Sequence, residues 1–351
     1  MRSISTVSKK TLQTSYDLEG PSVKNQDSAP ETFLTSDHAN SNRIDQAWDQ
    51  DNQQWWDWYM SLAENEAGDA EAQLEELPPA AIIDFPTADE LSEHLEAPYT
   101  IDQDQIDAFQ RDGFIKLKEL ISPAALGLLR SEMSQLFKQA ESKLGSRFGS
   151  LEMMWPGNAV LKQFVFSRRL ARLAAELLGV PRVRLYHDNA LSKQPGCGRT
   201  PWHYDGHHFP IATRDVCTVW LPLQAIPDNM GPLGFARGLH LVDMVKNIPF
   251  NKFDTSYDQK IMEKFRAEGV DVESGPFDLG EASFHHNFCF HTAGPNHTTT
   301  QRMVLATTYF ADGARVIDAP HMVNGDWRQF MPGIEPGDVI DTELNPILYS
   351  S

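Results

Sequence analysis

The feature that most constrains the fold is the change in the character of the sequence beyond Pro181. From there on, β-branched and aromatic residues come in short runs separated by Gly, Pro and Asn, such as RVRLYHDNALSK, CTVWLPLQAI, EASFHHNFCFH and RMVLATTYFA. Short runs with turn residues between them are typical of antiparallel strands. The pattern therefore predicts an antiparallel β core, arranged as a barrel or a jelly roll.

Helices are predicted ahead of these strands. Ser122 is suited to cap a helix that has Pro123 in its first turn and ends at Gly145. A second helix is predicted near 167–178 and ends at Gly179. The first helix has apolar residues at helical spacing, namely Leu126, Leu129, Met133, Leu136, Ala140 and Leu144. Helices followed by many short strands indicate an α+β fold with a mainly β core.

The N-terminal part of the chain differs in charge from the rest. Residues 1–100 hold 20 Asp and Glu against 5 Lys and Arg, whereas residues 101–351 hold 29 against 25. We predict a disordered tail over 1–43, an acidic helical extension with a linker over 44–100, and one catalytic domain over 101–351. The extension carries an aromatic cluster that either packs on the domain or contacts a partner or a second copy: Trp55, Trp56, Trp58, Tyr59 and Leu62.

The composition also excludes several classes of partner. The domain lacks a cluster of Lys and Arg, so neither nucleic acid nor an anionic membrane is expected to bind it. No run of roughly 18 apolar residues occurs, and three widely spaced cysteines do not suggest a disulfide framework. We expect a reducing, cytoplasmic location, with the first fifteen residues as a flexible tail or, alternatively, an organelle-targeting segment.

A candidate metal site begins in the stretch TPWHYDGHHFP. His203 and Asp205 are two residues apart, so on a strand their side chains would point to the same face and could share one ion. His291 follows 88 residues after His203, in CFHTAGPN, and Arg302 comes 11 residues later at the head of an apolar strand. Two imidazoles and one carboxylate predict a site for non-haem Fe(II) that leaves coordination positions open.

The open positions of such an iron must take a bidentate keto acid and then O2. A keto acid could chelate the metal, and its far carboxylate would need a permanent cation, for which the planar fork of Arg302 is suited. Zinc bound by the same three ligands is an alternative, and so is a jelly roll that only binds partners. Other nearby histidines could replace a ligand or be packed in the structure: His207, His208, His285, His286 and His297.

The chain from about residue 104 onwards resembles the phytanoyl-CoA dioxygenase family. The similarity is carried by LYHDNALSKQPGCGRTPWHYD, TVWLPLQAIPDNMGPLGFARGLH and LGEASFHHNFCFHTAGPNHTTTQRMVLATTYFADGARV, in the order of the family. The resemblance implies a double-stranded β-helix, a cupin-like jelly roll with helices outside. It also implies Fe(II) as the metal, 2-oxoglutarate as the cosubstrate, and O2-dependent hydroxylation of a C–H bond. Because the chain shows no site rich in Lys and Arg for the phosphates of CoA, we expect the substrate to be a small organic molecule.

The resemblance also implies roles for individual residues. By matched position, His203, Asp205 and His291 are the iron ligands and Arg302 binds the far carboxylate of 2-oxoglutarate. Two further residues match positions that line the cosubstrate site, Trp220 and Asn189. The sequence differs from many relatives at Tyr204 and has a second His at His286, and we expect these two differences to affect the substrate pocket.

Overall fold

The structure is a computed structural model that describes residues 74–77, 84–140, 147–249, 255–320 and 324–351. The tail predicted over 1–43 and the aromatic cluster of 55–62 lie outside the described residues. Those two parts of the domain prediction therefore stay predictions.

Helices surround the β core. Those of the described residues are α1 Ala88–Glu96, α2 Gln103–Asp112, α3 Pro123–Ala140, α4 Ala159–Val165, α5 Arg168–Leu178, α6 Leu241–Val245 and α7 Ser256–Glu268. The helix predicted from Ser122 is confirmed over Pro123–Ala140 as α3, and its predicted end at Gly145 lies outside the described residues. Helix α5 begins after its cap Ser167 and ends at Gly179, where φ is +70°. None of the helices over these ranges has the length and apolar content that crossing a membrane requires.

The strands form two antiparallel sheets. They are β1 Phe114–Leu117, β2 Phe148–Glu152, β3 Arg182–Lys193, β4 Thr200–His203, β5 Val216–Pro222, β6 Leu233–Ala236, β7 Val272–Ser274, β8 Ala282–His286, β9 His291–Ala293, β10 Arg302–Ala311 and β11 Ile347–Ser350. The large sheet has the order β1-β8-β5-β10-β3-β11, with β2 also paired to β3, and the small sheet has the order β4-β9-β6-β7.

Two antiparallel sheets with helices outside confirm the predicted jelly-roll class. The sheets share one cavity, which residues of β3, β5 and β10 line from one side and residues of β4, β6 and β9 from the other. The strand pairings among the described residues do not join the two sheets into one closed ring. The core is therefore an open jelly roll, with the cavity between its layers.

The large sheet separates the apolar core from this cavity. On β5, Cys217, Val219 and Leu221 are buried in the main apolar core, together with residues of α1, α3 and α5. The alternate residues Thr218 and Trp220 line the cavity instead. This alternation follows from the two-residue period of a strand, and it leaves the inner face free for polar side chains.

Helix α1 belongs to the packed domain, although it precedes residue 101. It begins after Thr87, whose side chain and that of Glu90 form a reciprocal capping box. Leu91 and Leu95 are buried in the main core, and the hydroxyl of Ser167 donates to the Leu95 carbonyl at 3.0 Å. The packed structure therefore extends N-terminally beyond the boundary that composition suggested.

Candidate metal centre and active site

Side chains from neighbouring strands form two rows across the inner face of the large sheet. The strand registers place His187, Thr308, Thr218 and His285 in one row, and Asn189, Ala306 and Trp220 in the next. All seven line the cavity. Strand pairing thus gathers polar groups from four strands that are distant in sequence.

The three predicted metal ligands meet at the other wall of the cavity. His203 ends β4 and pairs with His291, the first residue of β9. Asp205 lies in a 3₁₀ turn, Asp205–His207, that follows β4. The prediction that His203 and Asp205 lie on one face of the same strand was wrong. The strand ends at His203, and the turn after it places the Asp205 carboxylate next to the two histidines. One potential ligand atom from each of the three residues lies within 4.8 Å of the others.

Both histidines are oriented by the backbone. His203 Nδ1 lies 2.8 Å from the Pro201 carbonyl oxygen, and His291 Nδ1 lies 3.0 Å from the Cys289 carbonyl oxygen. A carbonyl only accepts, so each Nδ1 carries the proton and each Nε2 keeps its lone pair. Burial lowers the pKa of His203 to about 3 and that of His291 to about 4, so both rings are neutral at pH 7. They can bind a cation without first losing a proton.

The carboxylate of Asp205 is held by two donors of the large sheet. Its Oδ2 accepts from the Thr218 hydroxyl at 3.1 Å and lies 3.3 Å from His285 Nε2, while Oδ1 lies 3.7 Å from His291 Nε2. Burial alone would raise the pKa of Asp205, but the His285 hydrogen bond and the neighbouring histidines outweigh it and hold the pKa far below the ordinary value. Asp205 is thus a charged ligand candidate with a fixed orientation.

The donor set fits Fe(II). Two neutral imidazole nitrogens and one carboxylate oxygen on one side of a buried point leave the cavity side open for further ligands. Zinc accepts the same donors, so these three residues alone do not distinguish the two metals.

Arg302 lies at the start of β10, in the same cavity. It is 2 % exposed, its Nη1 donates to the Gly231 carbonyl at 2.6 Å, and its guanidinium carbon lies 5.4 Å from the centre of the Trp220 ring. Its buried Nε has no hydrogen-bond partner among the described residues. Burial lowers the Arg302 pKa to about 10, so the side chain stays charged at pH 7. A buried cation with an unused donor is suited to an anionic ligand.

Trp220 on β5 and Asn189 on β3 lie on either side of β10, the strand that begins with Arg302. Both pair with Ala306 of that strand. Asn189 is 9 % exposed, and its Oδ1 accepts from the Ser150 hydroxyl at 2.8 Å, which fixes the amide. Both line the cavity, and their contact with the cosubstrate stays a prediction. The cavity that these side chains line has a volume of about 120 Å³.

The cavity also contains polar residues that the sequence alone does not assign to it. Among them are His285, which the sequence places only near the site, and Glu152, His187, Thr218 and Thr308, to which the sequence gives no role. Conversely, Tyr204 and His286, where we expected the substrate pocket to differ, do not line this cavity. Tyr204 packs against Phe290, and His286 accepts a hydrogen bond from the backbone of Phe288.

Comparison with known proteins decides the family. Residues 109–304 match the family described as phytanoyl-CoA dioxygenase. The chain belongs to the phytanoyl-CoA dioxygenase family. It is accordingly an Fe(II)- and 2-oxoglutarate-dependent dioxygenase, with a jelly-roll fold and a His-Asp-His triad.

Two curated relatives and one solved structure illustrate this family. Methylphosphonate hydroxylase of Gimesia maris is 27% identical over 229 residues, which cover 60% of this chain and 82% of that protein. A probable alpha-ketoglutarate-dependent hypophosphite dioxygenase of Stutzerimonas stutzeri is 23% identical, over 65% of this chain and 79% of the relative. The epimerase SnoN in complex with Fe3+, alpha ketoglutarate and nogalamycin RO has a TM-score of 0.57 at 20% identity, over 70% of this chain and 98% of SnoN.

Proposed function

We propose that His203, Asp205 and His291 hold Fe(II) in this dioxygenase and that Arg302 binds the far carboxylate of 2-oxoglutarate. The observation that carries the assignment is their convergence on one cavity: three ligand atoms within 4.8 Å of one another, and a buried arginine with an unpartnered Nε. A zinc enzyme or a purely binding jelly roll has no need for such an arginine beside the three ligands.

Each side chain has a distinct task in this proposal. His203 and His291 present Nε2 to the metal, because their Nδ1 atoms face backbone carbonyls. Asp205 supplies the negative charge that balances the metal, with Oδ2 held by Thr218 and His285. Arg302 fixes the cosubstrate by its distal end, while Trp220 and Asn189 border it.

The iron, with 2-oxoglutarate and O2, supplies the oxidising chemistry that hydroxylates an unactivated C–H bond and releases succinate and CO2. The protein contributes position and exclusion of water, because His203, His291 and Arg302 are buried and the Asp205 side chain is only 14% exposed. The substrate is a small organic molecule, as the names of the relatives indicate for theirs. Hydroxylation is the proposed outcome because Asp205 keeps the carboxylate ligand that such an iron site uses.

An anaerobic titration tests the assignment. Fe(II)-loaded protein should develop a visible metal-to-ligand charge-transfer band when 2-oxoglutarate is added, because the keto acid can chelate only a bound iron that has two adjacent positions open. Arg302→Lys should retain the iron and need far more 2-oxoglutarate for the same band. Protein that binds Fe(II) but gives no band at saturating 2-oxoglutarate would contradict the proposal.

The remaining partner predictions belong to this proposal as well. A domain with near-balanced charge supports an enzyme that binds neither nucleic acid nor membrane, and three cysteines without a disulfide framework support a reducing, cytoplasmic location. The residues over 55–62 are proposed to contact the domain, a second copy or a partner. A truncation that starts at residue 84 and keeps full solubility and activity would favour the partner.

A further inference from the structure

The imidazole of His187 lies in the cavity but has no task in the proposed iron and 2-oxoglutarate sites. The residue is 7% exposed, and its buried Nδ1 has no hydrogen-bond partner among the described residues. Its side chain is part of the cavity wall. An unsatisfied buried polar atom is costly, so the site favours a ligand that hydrogen-bonds to this imidazole.

Aromatic rings surround His187 at this end of the cavity. Between ring centres, Tyr186 lies 4.7 Å, Phe330 5.0 Å and Phe209 5.5 Å from the imidazole. All three line the cavity, and together they form what we call the aromatic wall. Aromatic side chains offer large apolar areas and favour stacked or edge-on contacts with another ring. The aromatic wall therefore fits a ligand that contains a ring.

A β-bulge in β3 brings Tyr186 into this wall. Thr308 pairs with His187, but the next residue of β10, Tyr309, pairs with Leu185, so Tyr186 is an extra residue in β3. Consecutive residues of a regular strand point to opposite faces of the sheet. The bulge changes this locally, and both Tyr186 and His187 line the cavity.

His187 lies beside the proposed iron site and apart from Arg302. It shares a row with Thr308 and Thr218, whose hydroxyl oxygens are 2.9 Å apart, and Thr218 donates to the Asp205 carboxylate. Arg302 is at the far end of this region, because it begins β10 six residues before Thr308. A molecule bound at His187 would thus lie next to the metal ligands without using Arg302.

The charges of the cavity disfavour an ionised substrate. Among the described lining residues, Arg302 is the one Lys or Arg, and the proposed function assigns it to 2-oxoglutarate. The acidic residues are committed as well, Asp205 to the metal and Glu152 to a partner within the protein. The charges of Fe(II), Asp205, 2-oxoglutarate and Arg302 cancel one another. A charged substrate group would therefore lose its hydration without gaining an ionic partner.

We infer that the substrate is an uncharged ring compound with a free hydroxyl group, whose ring packs against the aromatic wall and whose hydroxyl hydrogen-bonds to His187. The inference rests on the proposed function, which assigns Arg302 and Asp205 to other ligands. Burial lowers the pKa of His187 to about 4, so at pH 7 the neutral imidazole has one donor and one acceptor nitrogen. A hydroxyl both donates and accepts, so it can pair with either nitrogen. The relatives named for methylphosphonate and hypophosphite are named for oxyanions, which are a different class.

Three probes that share a benzene ring test this inference. Calorimetry under anaerobic conditions would measure the binding of benzyl alcohol, ethylbenzene and benzoate to the full chain loaded with Fe(II) and 2-oxoglutarate. Ethylbenzene has a methyl group where benzyl alcohol has its hydroxyl, so these two probes differ in hydrogen bonding but hardly in shape. We expect benzoate to bind roughly tenfold or more weakly than benzyl alcohol, because the cavity offers its carboxylate no free cation.

A pair of histidine variants makes the test specific to His187. His187→Phe keeps an aromatic ring and removes both nitrogens, so the ratio of the affinity for benzyl alcohol to that for ethylbenzene should fall roughly tenfold. The different hydrophobicity of the two probes cancels when this ratio is compared with that of the wild type. His297→Phe, at an exposed position outside the cavity, should leave the ratio unchanged. An unchanged 2-oxoglutarate band shows that a variant keeps its iron and cosubstrate sites.

A third variant tests the aromatic wall. Phe209→Leu should weaken the binding of benzyl alcohol and ethylbenzene alike, roughly threefold, and keep their ratio. Unchanged affinities in Phe209→Leu, a wild-type ratio in His187→Phe, or benzoate that binds wild-type protein as tightly as benzyl alcohol would overturn the inference. Wild-type protein without the 2-oxoglutarate band would instead overturn the proposed function.

Discussion

Thr218 and His285 face each other across β5 and β8, and both reach the same oxygen of Asp205, at 3.1 and 3.3 Å. Thr218 in turn lies 2.9 Å from the hydroxyl of Thr308, which extends the hydrogen-bonded row to β10. The large sheet therefore orients a carboxylate that belongs to a turn of the opposite wall. Partners behind a metal ligand fix its orientation and raise the affinity for the metal.

Removal of one of these donors should weaken iron binding. Thr218→Val keeps the volume of the side chain and deletes the donor to Asp205, so the Kd for Fe(II) should rise roughly 10-fold to 100-fold. Thr307→Val is the matched control, because Thr307 lies on the opposite face of the sheet from Thr308. Equal Fe(II) affinities for both variants, measured by competition with a chelator, would show that Thr218 does not orient the ligand.

Loss of a proposed ligand should remove the metal without unfolding the domain. His203→Ala and His291→Ala should each lose stoichiometric Fe(II) and all succinate formation, with unchanged far-ultraviolet circular dichroism, because the core is formed by apolar residues elsewhere. His207→Ala is the control and should keep the iron, since His207 is not one of the three convergent residues. Full iron content in His291→Ala would point to another third ligand.

Arg302→Lys should affect the cosubstrate far more than the metal. A lysine keeps the charge but cannot offer two parallel donors, so the KM for 2-oxoglutarate should rise roughly 10-fold to 100-fold while Fe(II) affinity stays constant. Arg315→Lys, at an exposed position outside the cavity, serves as the control. An unchanged KM in Arg302→Lys would disprove the assignment of this residue.

Loss of a buried carboxylate next to β4 should lower both the free energy of unfolding and the affinity for Fe(II). Asp258 on α7 is 0% exposed and accepts from the guanidinium of Arg199 and, at 2.7 Å, from the backbone N–H of Trp202, the residue before His203. Asp258→Ala leaves the backbone N–H of Trp202 without its acceptor and removes the carboxylate that Arg199 contacts, so it should lower the free energy of unfolding by about 1–3 kcal/mol, with weaker Fe(II) binding. Asp243→Ala on α6, whose side chain is exposed, should change it by less than about 1 kcal/mol.

Parts of this site could be predicted from sequence because their signals are local. His203 and Asp205 are two residues apart in the sequence. Arg302 stands out because it places a permanently charged guanidinium at the start of an apolar strand. The turn that carries Asp205 was missed, because its convergence with His291 depends on where β4 ends rather than on a strand period.

Other parts depend on long-range register and could not be read from the chain. His285 reaches Asp205 because β8 pairs with β5, and Glu152 reaches the cavity because β2 pairs with β3. The bulge at Tyr186 shifts the alternation of β3 by one residue, which no periodicity of the sequence reveals. Helix α1 was not predicted, because it lies in an acidic segment. Most of its residues are exposed and polar, and only Leu91 and Leu95 are buried.

The strand that carries His187 and Asn189 should also give the protein a measurable pH dependence. Between them lies Asp188, fully buried, whose carboxylate accepts from the backbone N–H of Met154 at 2.9 Å. Burial raises the pKa of Asp188 from 3.8 to about 6, against the lowering effect of its backbone hydrogen bonds. The native state therefore binds this proton more tightly than the unfolded chain does. Its contribution to stability is fully present below pH 4 and is lost as the pH rises through 6.

Asp188→Asn cannot titrate, so its stability relative to the wild type should depend on pH. A shift from 3.8 to about 6 corresponds to about 3 kcal/mol. At pH 4 the unfolded Asp188 is already partly ionised, so the free energy of unfolding of the variant minus that of the wild type should be about 2 kcal/mol more positive at pH 7 than at pH 4, in urea titrations. If the amide of the variant weakens the hydrogen bond to Met154, it lowers the free energy of unfolding by the same amount at both pH values. That amount cancels when the two pH values are compared. A difference that is the same at both pH values would show that Asp188 is ionised in the native state at pH 4 to the same extent as in the unfolded chain.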